Sequence, residues 1–541
     1  MSVQLDATQE RGKRAGDWSK SRWSFLLSAL TLATLLIHGY HPLAEDGGLY
    51  VAGVEYTLDP GLFPHLTQFV SEHLRFSIFA PLMAFTVRLT LLPLSVVLLV
   101  VYLLSIALTL AGCRALLRRA GAGPRAQLAG TALLAALWTL PIAGTSLMLM
   151  DPYVTARSLS TPLSLWGLVF ALDAWPNAAD GTGASSRRAL LSVAGCVLAL
   201  LLAPAFHPLM AGYAIGLVIV VRLLREPRRP IALVALGLLT ILLAGLLQAR
   251  APAESGAVVA ASYTRYYWFL SQWHWYEIFG LAGPLLVLAA LLRWDRGLRE
   301  PGRLTCVATI VYGCFGTLLT GMFAHESYRA HLVARMQPLR VFLLIYLIML
   351  LFLGAAIERA LALMATRSRA LRPAATAVLT LLLAGAGFGM FVVQRGEFPA
   401  SIHIELPGRS NPNPWVQAFT WARNNTPADA LFAMEARYIT THGEDAQTFR
   451  AIARRSVLPD YSKDGGEAAI TPALAGTWAA GVRLQTGLNG MSAEALRNRL
   501  LPFGVTWVVL RSNAPAALDC PYRNPLLKVC RLAPGTPNRE P

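Results

Sequence analysis

Uncharged apolar runs of membrane-crossing length mark most of this chain. Leu91 to Gly112, Leu128 to Met150 and Val341 to Ile357 hold no charged residue. Each approaches the roughly 20 residues a helix needs to cross a hydrocarbon core. Followed along the chain, the pattern predicts eleven spans, at 23–40, 92–113, 127–149, 155–175, 189–204, 208–224, 231–248, 277–292, 304–323, 340–358 and 374–394. Between 189 and 224, Ala203-Pro-Ala-Phe-His-Pro208 has to turn the chain between two short helices.

From about residue 395 the pattern becomes that of a soluble domain. Pro407-Gly-Arg-Ser-Asn-Pro-Asn-Pro414 is a turn cluster. Helices are predicted at Trp415 to Asn424 and Ala446 to Arg455, and a serine-capped one at Ser492 to Leu501 with Glu494 in its first turn. Strands are predicted at Ala430 to Met434, Val505 to Leu510 and Leu526 to Leu532. The expected fold class is an α-helical polytopic membrane protein of about 11 transmembrane helices with a small C-terminal extracytoplasmic α/β domain. Its expected parts are a cytoplasmic basic N-terminus at 1–22, a transmembrane domain at 23–394 and an outer domain at 395–541.

Composition agrees: 55% of the 541 residues are hydrophobic and 14% charged, more apolar surface than a soluble domain hides. The formal charge of +17 changes the picture only through its placement. Basic residues gather in alternate loops: Arg11, Lys13, Arg14, Lys20 and Arg22; Arg114, Arg118, Arg119 and Arg125; Arg187 and Arg188; Arg222, Arg225, Arg228 and Arg229; Arg293, Arg296, Arg299 and Arg303; and Arg359, Arg367, Arg369 and Arg372. That alternation follows the positive-inside rule and sets the N-terminus inside and the C-terminus outside. The basicity is topological and implies no nucleic-acid partner. Trp23 to Tyr40 lacks a small-x-small cleavage site and reads as a signal anchor, with a cleaved signal peptide as the alternative. Heavy Ala, Leu and Arg usage points to a bacterial inner membrane.

The outer loops then carry the polar side chains. The first, at 41–91, is long and half apolar, and Phe69 to Leu91 is predicted as one surface helix with Glu72, Arg75 and Arg88 toward water. It opens on His41-Pro-Leu-Ala-Glu-Asp-Gly-Gly-Leu-Tyr50, which places Glu45 and Asp46 at the mouth of the first span. Asp151, Tyr153 and Arg157 follow the third span, and His207 sits at the fifth-to-sixth turn. His325, Glu326, Arg329, His331, Arg335 and Arg340 surround the ninth-to-tenth turn, with Gln337 in the same segment. Ionisable groups at membrane depth are costly and tend to mark function, although helix-end charges also simply meet headgroups. As a set, the acids and guanidinium groups suit a site that activates a hydroxyl and holds a phosphate. The aromatic run from Tyr263 to Tyr276 is either an interfacial belt or a wall for a sugar ring or lipid chain. Cys520 and Cys530 flank a turn in the oxidising outer tail and are candidates for a local disulfide. Cys113, Cys196, Cys306 and Cys314 lie in or beside spans as small apolar residues.

With its acid pair in a long first outer loop, a further acid (Asp151) in the next outer turn and a soluble outer tail, the chain resembles the C-type glycosyltransferase superfamily, polytopic enzymes that use polyprenyl-phosphate sugars. The tail segments Trp421-Ala-Arg-Asn-Asn-Thr-Pro-Ala-Asp-Ala-Leu-Phe432, Phe449-Arg450 and Arg454-Arg-Ser456 are similar to outer domains of related bacterial membrane proteins. A Trp-Trp-Asp-Tyr-Gly motif is absent from the tail, which argues against N-linked oligosaccharide transfer.

The resemblance implies transfer of a sugar from a polyprenyl-phosphate donor, at the lipid bilayer, to an acceptor glycan, lipid or protein. Asp46 is the expected base for an inverting attack, with Glu45 or Asp151 tuning it. Arg335 and Arg340, with Arg157 and Arg329, would neutralise the lipid phosphate. Tyr153, His207, His325, His331 and Gln337 are further candidate site residues. A divalent cation, Mg or Mn, has no dedicated ligand cluster; if present, it would fall to Asp46 and Asp151. Two other functions compete: a transporter or lipid flippase, and a non-catalytic binding or assembly subunit of the same fold. Polar groups gathered at one face, with few charges inside the spans, favour surface chemistry over passage.

Overall fold

A computed structural model describes residues 18–174, 186–225, 230–366, 371–441 and 443–532. Arg11, Lys13 and Arg14 of the basic N-terminus, and Arg228, Arg229, Arg367 and Arg369 of the inner loops, lie outside the described residues.

The body is helical. In chain order it contains α1 (Lys20–His38), α2 (Glu45–Leu58), α3 (Phe79–Thr90), α4 (Leu94–Arg119), α5 (Pro124–Ala136), the hairpin of β1 (Pro141–Ile142) and β2 (Leu147–Met148), α6 (Ala156–Ala174), α7 (Ser186–Phe206) and α8 (Pro208–Leu224). It continues with α9 (Pro230–Arg250), α10 (Gly256–Tyr263), α11 (Trp275–Trp294), α12 (Glu300–Phe323), α13 (Phe342–Thr366) and α14 (Leu371–Glu397). Seven helices among the described residues are long and apolar enough to cross a membrane, which makes this a multi-pass membrane protein. Helix α13 is central, since every residue from Phe342 to Phe352 is buried. Helices α9 and α14 lie at the rim, with Ile231, Leu238, Leu381 and Phe388 each more than half exposed, as lipid-facing side chains are.

Two expectations need correcting here. The 127–149 span is not one helix: α5 stops at Ala136, and 13 residues reach only about 20 Å at 1.5 Å per residue. Pro141 cannot continue a helix, and the apolar run closes in the β1–β2 hairpin, with Ile142 opposite Leu147. The surface helix expected over Phe69 to Leu91 is broken as well. A four-residue helix at Gln68–Ser71 and a 3-10 turn at His73–Phe76 precede extended Ser77, and only then does α3 begin. Pro81 explains the restart, because its missing N–H is tolerated only in a first turn. Arg88 turns back to donate to the carbonyls of Thr57 and Leu58.

The tail forms an α/β unit. Helices α15 (Pro414–Asn425), α16 (Phe449–Ala453), α17 (Lys463–Ile470), α18 (Ala475–Gln485) and α19 (Ala493–Leu500) surround one sheet. Its strands β3 (Leu431–Ala433), β4 (Ser456–Val457), β5 (Trp507–Arg511), β6 (Asp519–Arg523) and β7 (Leu527–Arg531) stand in the order β4-β3-β5-β7-β6. β3 runs parallel to β4 and β5, while β7 pairs antiparallel with β5 and β6. Along β5 the side chains alternate: Trp507 and Val509 enter one core, Val508 and Leu510 the other. Both faces are thus covered, which is why the strand reads as a continuous apolar run. Cys520 and Cys530 form a disulfide between β6 and β7.

This unit sits on the loops of the helical body. Phe69, Val258, Trp268, Phe269, Ala334, Ala468 and Trp478 share one apolar cluster, so the first loop, the 249–276 segment, the 324–339 segment and helices α17 and α18 meet at one place. An isolated parallel bridge between Tyr40 and Ile404 ties the chain just after α1 to the segment that leads into the tail.

Candidate active site

Helix α2 begins with the acid pair. Glu45 and Asp46 occupy its first turn, where the positive end of the helix favours negative charge. Glu45 holds a left-handed backbone at φ 47°, uncommon for a residue with a side chain and frequent at functional sites. The two glycines that follow let other segments come close. A Cβ on Gly47 would stand 2.7 Å from the Pro42 carbonyl and 3.0 Å from the Tyr153 ring, and one on Gly48 would overlap Thr448. Thr448 in turn donates to the Glu45 carbonyl (3.2 Å). The acids are therefore wedged between the Asp151 turn and the tail domain.

Their direct partner comes from the tail. Lys463, the first residue of α17, has its Nζ 2.8 Å from Asp46 Oδ1 and also pairs with Glu45. Its side chain is 11% exposed, while Glu45 and Asp46 keep 44% and 57%. The carboxylates thus stay open to water beside a largely buried ammonium. Lys463 holds the Asp46 carboxyl down to about 2 against the opposing push of burial, with Arg340 and Arg265 adding smaller pulls.

Asp151, 11% exposed, stands beside buried Arg157, which pairs with it and donates to the carbonyls of Met148 and Leu149 at 2.8 and 3.1 Å. Burial raises the Asp151 carboxyl despite that partner. Tyr153 packs with Ala44 and Phe398, and His207 caps α8. Burial, followed by Arg340 and Arg157, lowers the His207 imidazole to about 3, leaving it neutral. Arg340 lies over the Tyr267 ring at 5.6 Å, and its Nε is buried without a hydrogen-bond partner among the described residues. Glu467, one turn along α17 from Lys463, is pushed up to about 8 by burial and by Asp464, Asp46 and Glu72.

The expected residues therefore divide. Glu45, Asp46, Asp151, Tyr153, Arg157, His207 and Arg340 act on one another around α2. Arg335 and His331 instead bind Glu254, at 2.7 and 2.8 Å, and Arg335 also donates to the Ala469 carbonyl at 2.8 Å. Arg329 donates to the Ala249 carbonyl and His325 contacts Ser327. Gln337 takes a left-handed backbone, with its side-chain oxygen buried and unpartnered among the described residues. The aromatic run divides too: Tyr267 and Trp268 line a crevice with Gln337 and Arg340, whereas Trp275 and Tyr276 stand exposed as belt residues do.

Sequence reading missed Lys463, Arg265, Glu467 and Glu254. One signal was available for Lys463: the chain carries only four lysines among its 47 basic residues, so a lysine in the tail breaks a strong arginine habit. A divalent cation does not fit Asp46 with Asp151, because each carboxylate already has its own built-in cation. Among the described residues no three His, Cys, Asp or Glu side chains group to hold a metal.

The architecture is a helical membrane body, a helical first loop and an α/β tail that closes on that loop. Comparison with solved structures finds a similar fold elsewhere. The chain matches mycobacterial arabinofuranosyltransferase AftD with a TM-score of 0.50 and 14% identity, over 96% of this chain and 42% of that one. It thus spans less than half of AftD's length. ArnT from Cupriavidus metallidurans, solved bound to undecaprenyl phosphate, matches with a TM-score of 0.44 and 14% identity over 95% and 99%. No family model and no curated protein matches the sequence.

Proposed function

We propose that the protein is an inverting membrane glycosyltransferase that moves a sugar from a polyprenyl-phosphate donor to an acceptor at the outer face of a bacterial inner membrane. In this reading the N-terminus is inside, the chain crosses the membrane an odd number of times, and residues from about 395 form an outer domain. The observation that carries the proposal is the acid pair at α2, where two water-accessible carboxylates face several cations, one of them Arg340, whose buried Nε has no hydrogen-bond partner among the described residues. Such a guanidinium suits a phosphate oxygen.

Asp46 accepts the proton of the acceptor hydroxyl as that oxygen attacks the anomeric carbon from the face opposite the phosphate. The bond to the phosphate oxygen breaks, and the polyprenyl phosphate leaves against Arg340 and Lys463. A carboxylate as acidic as Asp46 is a weak base while Lys463 rests on it. When the donor's phosphate draws Lys463 toward itself, the proton affinity of Asp46 rises, so the base gains strength only with the donor in place. Asp151 and Arg157 hold the far wall. Arg335 serves as a strut to Glu254 and the tail, leaving Arg340 the principal arginine for phosphate.

The test is transfer of labelled sugar from a polyprenyl-phosphate donor library by the purified protein in nanodiscs. Asp46→Asn is expected to lower turnover about 10²- to 10⁴-fold, the usual range for a lost general base, with thermal melting unchanged. Full transfer by this variant would remove the mechanism. Donor binding with no turnover in the native chain would favour a binding subunit, and lipid movement without transfer would favour a flippase.

A further inference from the structure

We infer that Lys463 is the resident cation of the Glu45–Asp46 pair, standing in the place a divalent ion would take, so that the tail domain supplies by covalent means the positive charge otherwise recruited from solution. Neighbouring carboxylates at a helix start, both open to water, offer oxygen ligands of the kind Mg or Mn takes. Here one ammonium bridges both of them. It is not a loose surface contact, since the lysine side chain is 11% exposed while the acids it spans are far more open.

The network behind Lys463 fixes where it points. Asp460 Oδ1 accepts from the backbone N–H groups of Ser462 and Lys463 at 2.8 and 2.6 Å. Asp464 accepts from the Asp460 N–H at 2.8 Å and is clamped by both terminal nitrogens of Arg450 at 2.7 and 3.0 Å. Arg450 and Asp464 are buried. The start of α17 is thereby locked, which sets where the lysine stem leaves the helix and keeps its ammonium within reach of both carboxylates. Lysine suits the task, being a compact point charge that two carboxylates can share. The inference concerns the cation at the acid pair and holds whether or not the protein transfers sugar.

The test titrates the full chain in nanodiscs with Mn²⁺ and reads bound metal by electron paramagnetic resonance. Native protein should bind no Mn²⁺ that Asp46→Asn abolishes. Lys463→Ala, and the better-filled Lys463→Met should alanine loosen the fold, should each gain one Mn²⁺ per chain at up to about 1 mM, at least about tenfold tighter than native. Adding Asp46→Asn to either should remove the gained ion. Lys463→Arg, which keeps the charge, should stay metal-free. A native chain that already holds Mn²⁺ at Glu45 and Asp46 would overturn the inference. So would Lys463→Ala and Lys463→Met variants that fold but gain no metal.

Discussion

At the acid pair, single side chains decide both access and charge. Gly48 has no room for a methyl group, because Thr448 of the tail lies where its Cβ would be. Gly48→Ala is therefore expected to cost about 1–3 kcal/mol, the range for overpacking a tight contact. It should also shift α2 against the tail, with lowered transfer. Gly385→Ala, where nothing lies within 4 Å, is the control, and melting of both variants by scanning fluorimetry checks the difference. Glu467 gives a pH signature. Its folded-state value of about 8 lies above the ordinary 4.5, so the native chain holds a proton that the unfolded chain releases. The associated stability is fully present below about pH 4.5 and is lost as pH rises to about 8. Asp460 and Glu55, also raised by burial, share that window. The measurement is thus the difference between native and Glu467→Gln melting across it, and the variant should fall less steeply.

At the scale of elements, what was legible depended on how local the cause was. The long apolar runs declared most membrane helices, because spanning hydrocarbon demands a composition that no other context tolerates. The run at 128–150 misled because apolarity alone does not distinguish a helix from a hairpin, and Pro141 was the deciding residue. Helix α2 was missed altogether: Glu-Asp-Gly-Gly is a poor helix start by propensity, and the helix is held by burial of Val51, Val54 and Glu55 and by the Arg454–Glu55 ion pair. Helix α17 was missed for a similar reason, with Gly465 and Gly466 in its middle. Arg450 and Asp464 set this short helix in place. Arg450→Met leaves the buried Asp464 charge uncompensated and is expected to cost about 3–5 kcal/mol. It should also free Lys463 to wander, reducing transfer beyond the loss of folded protein. Chemical denaturation together with turnover per folded molecule separates the two effects.

Across the whole molecule, the candidate site was half readable. Glu45, Asp46, Asp151, Arg157 and Arg340 could be nominated from the ends of apolar runs. Nothing in local pattern could join them to Lys463, since that contact spans the fold. The disulfide lies elsewhere, at the far edge of the sheet. Cys520→Ser opens a loop of separation 10 and is expected to cost about 3 kcal/mol by loop entropy, loosening edge strand β6. Hydrogen exchange should rise over β6 and β7 while α17 stays protected and transfer persists.

The bond between Lys463 and Asp46 joins residues 417 positions apart, and that separation has a meaning in time. A ribosome delivers the lysine 417 residues after Asp46. Throughout that interval the nascent chain carries the acid pair without the ammonium that its two carboxylates share. In the reading proposed here, a stalled or truncated copy in the bilayer would stay inert toward scarce lipid-linked sugars. The protein would come into operation only when the α/β unit that holds Lys463 had been made and had closed over the 41–91 loop.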